Sequence, residues 1–365
     1  MPYLDILLPI GLSFHTFQAM SYTIEVYRGN FKAERNFGIY SLYVMFYPQL
    51  VAGPIERPQN VLPQLHKYHR FNETDFSNGL KLIVWGLFQK VVIADNLSEF
   101  VALIYKNAAS YTGLAVVVGC IFFSFQIYCD FAGYSNIALG TARVMGIYLM
   151  TNFERPYLSQ SISEFWSRWH ISLSTWFRDY VYIPLGGNRG TKSRTYFNQM
   201  TVFLLSGLWH GANWTFVVWG TLHGSYLVIE SIAKSSFTLG NWSKTKFFIQ
   251  VKRLWVFAFV TFAWIFFRAK DFKNAHDVVY KVTHVKFSDW LLPLFGSDKT
   301  YSICICFTLI IFLLTMELIQ GNKSFLEMIN GWSKQLRWAF LLGLIVVFLV
   351  LGAFHNSGEF IYFKF

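Results

Sequence analysis

Charged residues are scarce in this 365-residue chain, which has 31 Lys and Arg and 20 Asp and Glu, or 14% of all residues. Soluble domains average about 25% charged residues, so this chain has too few to cover a surface exposed to water. Hydrophobic residues make up 54%, and the mean hydropathy is +0.36. These figures exclude a typical soluble enzyme, a disordered protein and a nucleic-acid-binding protein. The net charge of +11 is then typical of basic cytoplasmic loops in a membrane protein.

Cysteine and the common catalytic motifs are also missing or rare. The four cysteines form no C-x-x-C pair, so neither a metal site nor a disulfide framework is predicted. The chain has no G-x-S-x-G elbow, no H-E-x-x-H motif and no Walker A sequence. A histidine general base that acts without a protein nucleophile would still allow direct acyl transfer.

Runs without formal charge predict the membrane spans, because a spanning helix needs about 20 apolar residues. The clearest runs are residues 107–129, 254–267, 300–316 and 338–358. Less apolar, membrane-associated segments are predicted at residues 4–26, 37–51 and 80–94.

The longest charge-free run, residues 195–229, is too long for one span and just long enough for two short ones. The break is predicted at residues 211–213, Gly-Ala-Asn, which places His210 beside the tip of a helical hairpin. Basic residues flank both ends of this run, so both ends are predicted to face the cytoplasm. The stretch 268–299 has charges of both signs and is predicted to be an external loop.

Residues 160–180 are predicted to form one amphipathic helix that begins with a capping box of Ser161 and Glu164. Its apolar side consists of Phe165, Trp166, Trp169, Leu173, Trp176, Phe177 and Tyr180. A helix of this kind packs one face against lipid or protein. It is predicted to end before a turn at residues 184–188.

Ionisable residues at membrane depth are functional candidates by default, because burying them in lipid is unfavourable. Four residues meet this condition: Asp130, His170, His210 and His223. His210 is favoured by its place at the helix break and His170 by its aromatic neighbours. His223 is interpreted as a packing residue that hydrogen-bonds a neighbouring helix, and His66 and His69 as residues of a solvated loop.

A set of ordered motifs resembles the membrane-bound O-acyltransferases (MBOAT), in particular the bacterial alginate O-acetylation branch. The motifs are LPIGLSFHTFQ (8–18), YRG (27–29), YPQLVAGPIERP (47–58), DFAGYS (130–135), FWSRWHISLS (165–174), WFRDY (176–180), IPLGGNR (183–189), GLWHGANW (207–214) and FIYFKF (360–365). The resemblance covers essentially the whole chain. One departure is Asn136, which stands where the family usually has Asp.

This resemblance implies an all-α, polytopic transmembrane protein of the MBOAT type, with short amphipathic and re-entrant helices around a central cavity. It implies that His210 is catalytic and that His170 is its partner in that cavity. The predicted substrate-binding residues are Trp209, Asn213, Arg178, Asp179 and Asp130. No metal and no bound cofactor are expected, and acetyl-CoA or another acyl thioester is the implied donor substrate.

The implied activity is transfer of acetyl groups from a cytoplasmic thioester toward hydroxyls of an extracellular, alginate-like polysaccharide. The expected location is the bacterial cytoplasmic (inner) membrane, crossed several times. The expected partners are membrane lipid, the thioester donor, the polysaccharide acceptor and a periplasmic or surface esterase-like acetyltransferase, with no nucleic acid. Residues 1–365 are predicted to form a single domain that lacks the N-terminal spans usual in the family.

Two other functions remain open from the sequence. The first is the sister activity, which passes D-alanine from a carrier-protein thioester to teichoic acids. The second is transport of a polar substrate without acyl-transfer chemistry. The ester product separates all three, since acetyl esters, alanyl esters and the absence of any ester are distinct outcomes.

Overall fold

The computed structural model describes residues 11–50, 53–236, 245–291, 294–296 and 299–354. Parts of several predicted features lie outside these residues: the beginning of the segment 4–26 and of motif 8–18, positions 51 and 52 of motif 47–58, and residues 355–358 of the last predicted span. The C-terminal motif 360–365 lies wholly outside them.

All regular structure in the described residues is helical, as predicted. The α-helices are α1 (Leu12–Tyr27), α2 (Phe37–Val44), α3 (Pro58–Leu65), α4 (Glu73–Leu87), α5 (Asp95–Lys106), α6 (Gly113–Val144), α7 (Ile162–Arg168), α8 (Ile171–Phe177), α9 (Lys192–His210), α10 (Trp214–Ser236), α11 (Lys246–Arg268), α12 (Phe272–Thr283), α13 (Thr300–Gln320), α14 (Phe325–Asn330) and α15 (Lys334–Leu351). Within the described part of the chain, five of them are long and apolar enough to cross a membrane: α6, α10, α11, α13 and α15. The protein is therefore a multi-pass membrane protein of the all-α class.

The chain divides into two compact units. The first takes its described residues from 1–92, 129–152 and 322–364, and the second from 93–128 and 153–321. Whether the chain acts as one membrane domain stays a prediction.

In the first unit, α4 and the second half of α6 touch along their backbones. A Cβ added to Gly86 would lie 2.6 Å from the carbonyl oxygen of Gly133, so glycine is required for this close approach. Beyond the end of α4, the Lys90 ammonium lies 2.6 Å from the Asp130 carboxylate of α6. Asn136 of α6 donates to Gln89 Oε1 at 2.7 Å.

In the second unit, α9 and α10 form the predicted helical hairpin, and the break falls at residues 211–213 as expected. Of the two predicted spans, only α10 is among the helices long and apolar enough to cross a membrane. Thr191 begins α9 because its hydroxyl accepts a hydrogen bond from the Arg194 amide. A Cβ on Gly220 would lie 2.3 Å from the Phe203 carbonyl oxygen, so α9 and α10 pack backbone to backbone.

The single helix predicted for residues 160–180 is wrong, because the chain breaks there. Ser161 does cap the start, and its hydroxyl accepts a hydrogen bond from the Glu164 amide. The helix α7 then ends at Arg168, and α8 begins only at Ile171. Between them His170 adopts φ 43° and ψ 55°, a left-handed conformation that cannot continue a right-handed helix.

Two predicted span ends and one loop also differ from the structure. Helix α6 continues past Asp130 and α13 continues past Glu317, because both carboxyl groups are buried and have protein partners. The predicted loop 268–299 contains helix α12 and a short 3-10 helix at Phe287–Leu291. The membrane side on which this segment lies stays a prediction.

Candidate active site

His210 is the last residue of α9, and the residue is 6% exposed. Aromatic rings surround it: the centroid of the Trp219 ring lies 5.1 Å away, that of Phe267 5.0 Å and that of Trp209 4.7 Å. Trp219 comes from α10 and Phe267 from α11, so three helices converge on this side chain. The helix break after His210 places a proton-accepting ring at the end of an apolar hairpin, inside an aromatic enclosure.

His170 lies between α7 and α8 and is 1% exposed. Its neighbour Trp169 anchors this segment, because its ring packs on those of Phe153, at 5.1 Å, and Trp264, also at 5.1 Å. The Ser172 hydroxyl lies 3.5 Å from Nδ1 of the imidazole, which is too long for a strong hydrogen bond.

The two histidines interact electrostatically. Burial holds the pKa of His170 well below its ordinary value, and the nearby His210 lowers it further. His170 is therefore neutral near pH 7, and a neutral imidazole accepts a hydrogen bond at one nitrogen and donates at the other. The structure thus brings the two predicted catalytic residues together in the second unit.

The other predicted site residues have different surroundings. Trp209 contacts the His210 ring directly. Both amide atoms of Asn213 are used within the protein: Nδ2 donates to the Lys270 carbonyl oxygen at 2.8 Å, and Oδ1 accepts from the Thr215 amide at 3.1 Å. Asn213 therefore fixes the hairpin tip, and its contact with substrate stays a prediction.

Arg178 and Asp179 form an ion pair in which Nε lies 2.7 Å from Oδ1. They belong to a short π-helical turn, Arg178–Tyr182, which directly follows α8. Asp130 belongs to the first unit, where it pairs with Lys90. Binding of substrate by these three residues stays a prediction.

A cavity of about 560 Å³ lies among α7, α8, α9 and α10, all in the second unit. Trp166, Phe203 and Ser206 line one part of it, here called the inner end, and Arg178, whose side chain is 59% exposed, also lines it. Ser206 precedes His210 by four residues on α9, so the inner end lies one helical turn from the candidate base.

The hydrogen bond predicted between His223 and a neighbouring helix is present, and its donor is Trp166 of α7. Two features of the second unit were not found from the sequence: this cavity and the contact between Tyr128 and Glu317. The Tyr128 hydroxyl donates to Glu317 at 2.5 Å within an apolar region. Glu317 follows an apolar run and therefore looked like the solvated end of a span. No local signal distinguishes a carboxyl group at a span end from one that is buried by tertiary contacts.

These features define a multi-pass, all-helical membrane protein with two buried histidines beside a cavity. Within the described ranges, no three His, Cys, Asp or Glu side chains are grouped so that they could hold a metal ion. The chain belongs to the membrane-bound O-acyltransferase family, whose sequence model matches residues 36–270. The predicted family membership is therefore confirmed.

Three relatives show what this chain is similar to. It is 44% identical to a probable alginate O-acetylase of Azotobacter vinelandii, over 79% of this chain and 56% of that protein. It is 36% identical to a probable alginate O-acetylase of Pseudomonas putida, over 99% of this chain and 76% of that protein. It is 31% identical to a peptidoglycan O-acetyltransferase of Helicobacter pylori, over 99% of this chain and 75% of that protein. The chain spans about half the length of the Azotobacter relative.

Proposed function

We propose that this protein is a membrane O-acyltransferase that moves acetyl groups from a thioester donor toward hydroxyls of an extracellular, alginate-like polysaccharide. The observation that carries the proposal is the pair of buried histidines, His210 and His170, beside a cavity in the second unit. Similarity to two probable alginate O-acetylases supports the choice of acetyl group and polymer.

In the proposed reaction His210 is the general base. It takes the proton of the acceptor hydroxyl while that oxygen attacks the thioester carbonyl carbon, and a C–O bond forms. The C–S bond then breaks, and the leaving thiolate receives the proton back from His210. His170 is neutral, so it can donate a hydrogen bond to the carbonyl oxygen as negative charge develops there. No protein nucleophile and no metal is required for this sequence of steps.

The cavity supports a path for the donor. Arg178 lines it, and its guanidinium has N–H donors besides the Nε–H that bonds Asp179, which suit an anionic group of the donor. The inner end lies one turn from His210. Acetyl-CoA is the proposed donor, and another acyl thioester would use the same chemistry. Trp209, Asn213, Arg178 and Asp179 are the residues proposed to bind the substrates, together with Asp130.

The proposed location is the bacterial cytoplasmic membrane, with the donor on the cytoplasmic side. Because the acceptor polymer is outside, we propose an esterase-like acetyltransferase partner, periplasmic or at the surface, that completes the transfer. The similarity to a peptidoglycan O-acetyltransferase makes peptidoglycan the second candidate acceptor.

The test replaces His210 with Ala in a strain that lacks the chromosomal copy of the gene. We expect acetate released by mild base from the exported polysaccharide to fall at least 100-fold, the order of loss for a general base. His276→Ala is the matched control, because His276 is an exposed histidine on α12. Membrane insertion should equal that of the parent protein in both variants.

Each alternative predicts a different product in the same samples. Alanine released by base would show that the protein transfers D-alanyl groups and not acetyl groups. Acetate released from peptidoglycan would show that peptidoglycan is the acceptor. Parent cells that contain no ester dependent on this gene would favour a transporter. Substantial acetylation by a properly inserted His210→Ala protein would remove His210 from the catalytic role.

A further inference from the structure

His223 is a buried histidine that the proposed reaction does not use. It lies in α10 and is completely buried, 0% exposed. The indole Nε1–H of Trp166 donates to its Nδ1 at 3.2 Å, which links α10 to α7. Because Trp166 forms part of the inner end of the cavity, His223 holds a wall of that cavity from behind.

The hydrogen bond from Trp166 determines the tautomer of the neutral His223 ring. Since Nδ1 accepts, the proton of a neutral imidazole resides on Nε2. Among the residues described, Nε2 has no hydrogen-bond partner. Aromatic rings surround the imidazole instead, with centroids at 5.1 Å for Trp219 and 6.1 Å for Trp264. One hydrogen bond in an apolar environment therefore orients the Trp166 indole, and such bonds are strong where water is absent.

We propose that His223 is a positioning residue that sets the width of the inner end of the cavity by fixing Trp166. The proposal rests on the proposed function, in which the thioester donor approaches through this cavity. The required property is a hydrogen-bond acceptor at the position of Nδ1, not the aromatic volume of the ring. A purely packing role would require volume and no acceptor.

Loss of the hydrogen-bond acceptor at position 223 should move the Trp166 indole in one direction. A buried N–H without a partner is unfavourable, so the Trp166 indole would turn toward the space it already lines, where it can reach water or polar groups. The inner end would become narrower. The donor KM should then rise about tenfold, equivalent to about 1.4 kcal/mol of lost donor binding, because the narrower inner end admits the thioester less readily. The value of kcat should change less than threefold, because His210 and His170 are untouched.

The experiment compares His223→Asn with His223→Leu in membranes supplied with acetyl-CoA. Asn carries an oxygen near the position of Nδ1, whereas Leu has similar bulk and no acceptor. We expect the Asn variant to keep the parent donor KM within threefold and the Leu variant to show the increase. In a Trp166→Phe background, which has no indole N–H, His223→Leu should change the donor KM less than threefold.

A second measurement does not depend on catalysis. Ser206→Cys places a thiol at the inner end of the cavity, in a Cys304→Ser background that removes the exposed native thiol. We expect a small methanethiosulfonate reagent to label position 206 at least fivefold more slowly with His223→Leu, and at the parent rate with His223→Asn.

The outcomes separate this proposal from the proposed function. If the parent protein transfers no acetyl group, the function fails, and the labelling rates still decide the role of His223. Equal labelling in the Asn and Leu variants, or faster labelling with Leu, would overturn the positioning role. So would a fall in kcat with an unchanged donor KM. If His223→Leu does not accumulate, the double variant Trp166→Phe/His223→Leu should accumulate like Trp166→Phe, and its failure to do so would also contradict the proposal.

Discussion

Left-handed backbone at a non-glycine residue is rare, and among the described residues only Arg155 and His170 adopt it. An L-residue in this conformation is disfavoured by about 1–2 kcal/mol because its Cβ crowds the following carbonyl. The aromatic packing of the neighbouring Trp169 against Phe153 and Trp264 holds the backbone at His170 in this geometry. Strain of this kind concentrates at functional sites, which agrees with the catalytic role proposed for this residue.

This strain predicts an inverted order of stability at position 170. His170→Gly should be more stable than His170→Ala by about 1 kcal/mol, since both lose the imidazole and only Ala retains a Cβ. His276→Gly and His276→Ala on α12 are the matched controls, and there Ala should be more stable by about 1 kcal/mol. Thermal unfolding in detergent measures both pairs. The same order at both positions would contradict the left-handed conformation of His170.

The acetylation assay separates stability from function at this residue. Both position 170 variants should lose most of their acetyl-transfer activity, because neither can donate a hydrogen bond to the thioester oxygen. Removing an oxyanion donor typically lowers the rate by about 10²–10³-fold. Full activity in either variant would show that His170 only packs.

At the scale of helices, the hairpin of α9 and α10 depends on small residues at its contact. A Cβ on Gly207 would lie 2.4 Å from the Phe216 carbonyl oxygen, and a real Cβ does not approach backbone so closely. Gly207 precedes His210 by less than one turn. The spacing of the two helices and the position of the candidate base are therefore coupled.

We expect Gly207→Ala to destabilise the protein by about 1–3 kcal/mol, because the helices must separate to admit the methyl group. Acetyl transfer should fall by more than the loss of folded protein explains, since His210 moves with the end of α9. Gly343→Ala in α15 is the matched control: its added Cβ would meet nothing within 4 Å. That variant should be neutral or slightly more stable, because Ala favours a helix. A well-tolerated Gly207→Ala would disprove the close hairpin contact.

At the scale of the whole molecule, the topology of the chain in the membrane follows from this hairpin. Its three-residue break makes α9 and α10 antiparallel, so Arg189, Lys192 and Arg194 and the end of α10 at Lys234 should lie on one side. Basic residues accumulate in cytoplasmic segments, so we predict that this side is the cytoplasm. Of the basic residues that follow the charge-free run 195–229, Lys244 lies outside the described residues.

Cysteine labelling checks this topology. Ser193→Cys and Ser235→Cys lie at exposed positions near the two ends of the hairpin. In a background without the native exposed Cys304, both should react with a membrane-impermeant maleimide only after the cytoplasmic membrane is permeabilised. Reaction of one position in intact cells and not the other would show that the two ends lie on opposite sides.

The sequence alone determined the membrane class, the main spans, the hairpin break and the two candidate histidines. Long apolar runs and the Gly-Ala-Asn break at residues 211–213 are local signals, since each constrains the structure of the residues that carry it. Tertiary structure decided the break at His170, the burial of Asp130 and Glu317, and the hydrogen bond between Trp166 and His223. Each of these depends on partners distant in sequence, whose packing overrides the local preference for a helix or a solvated charge.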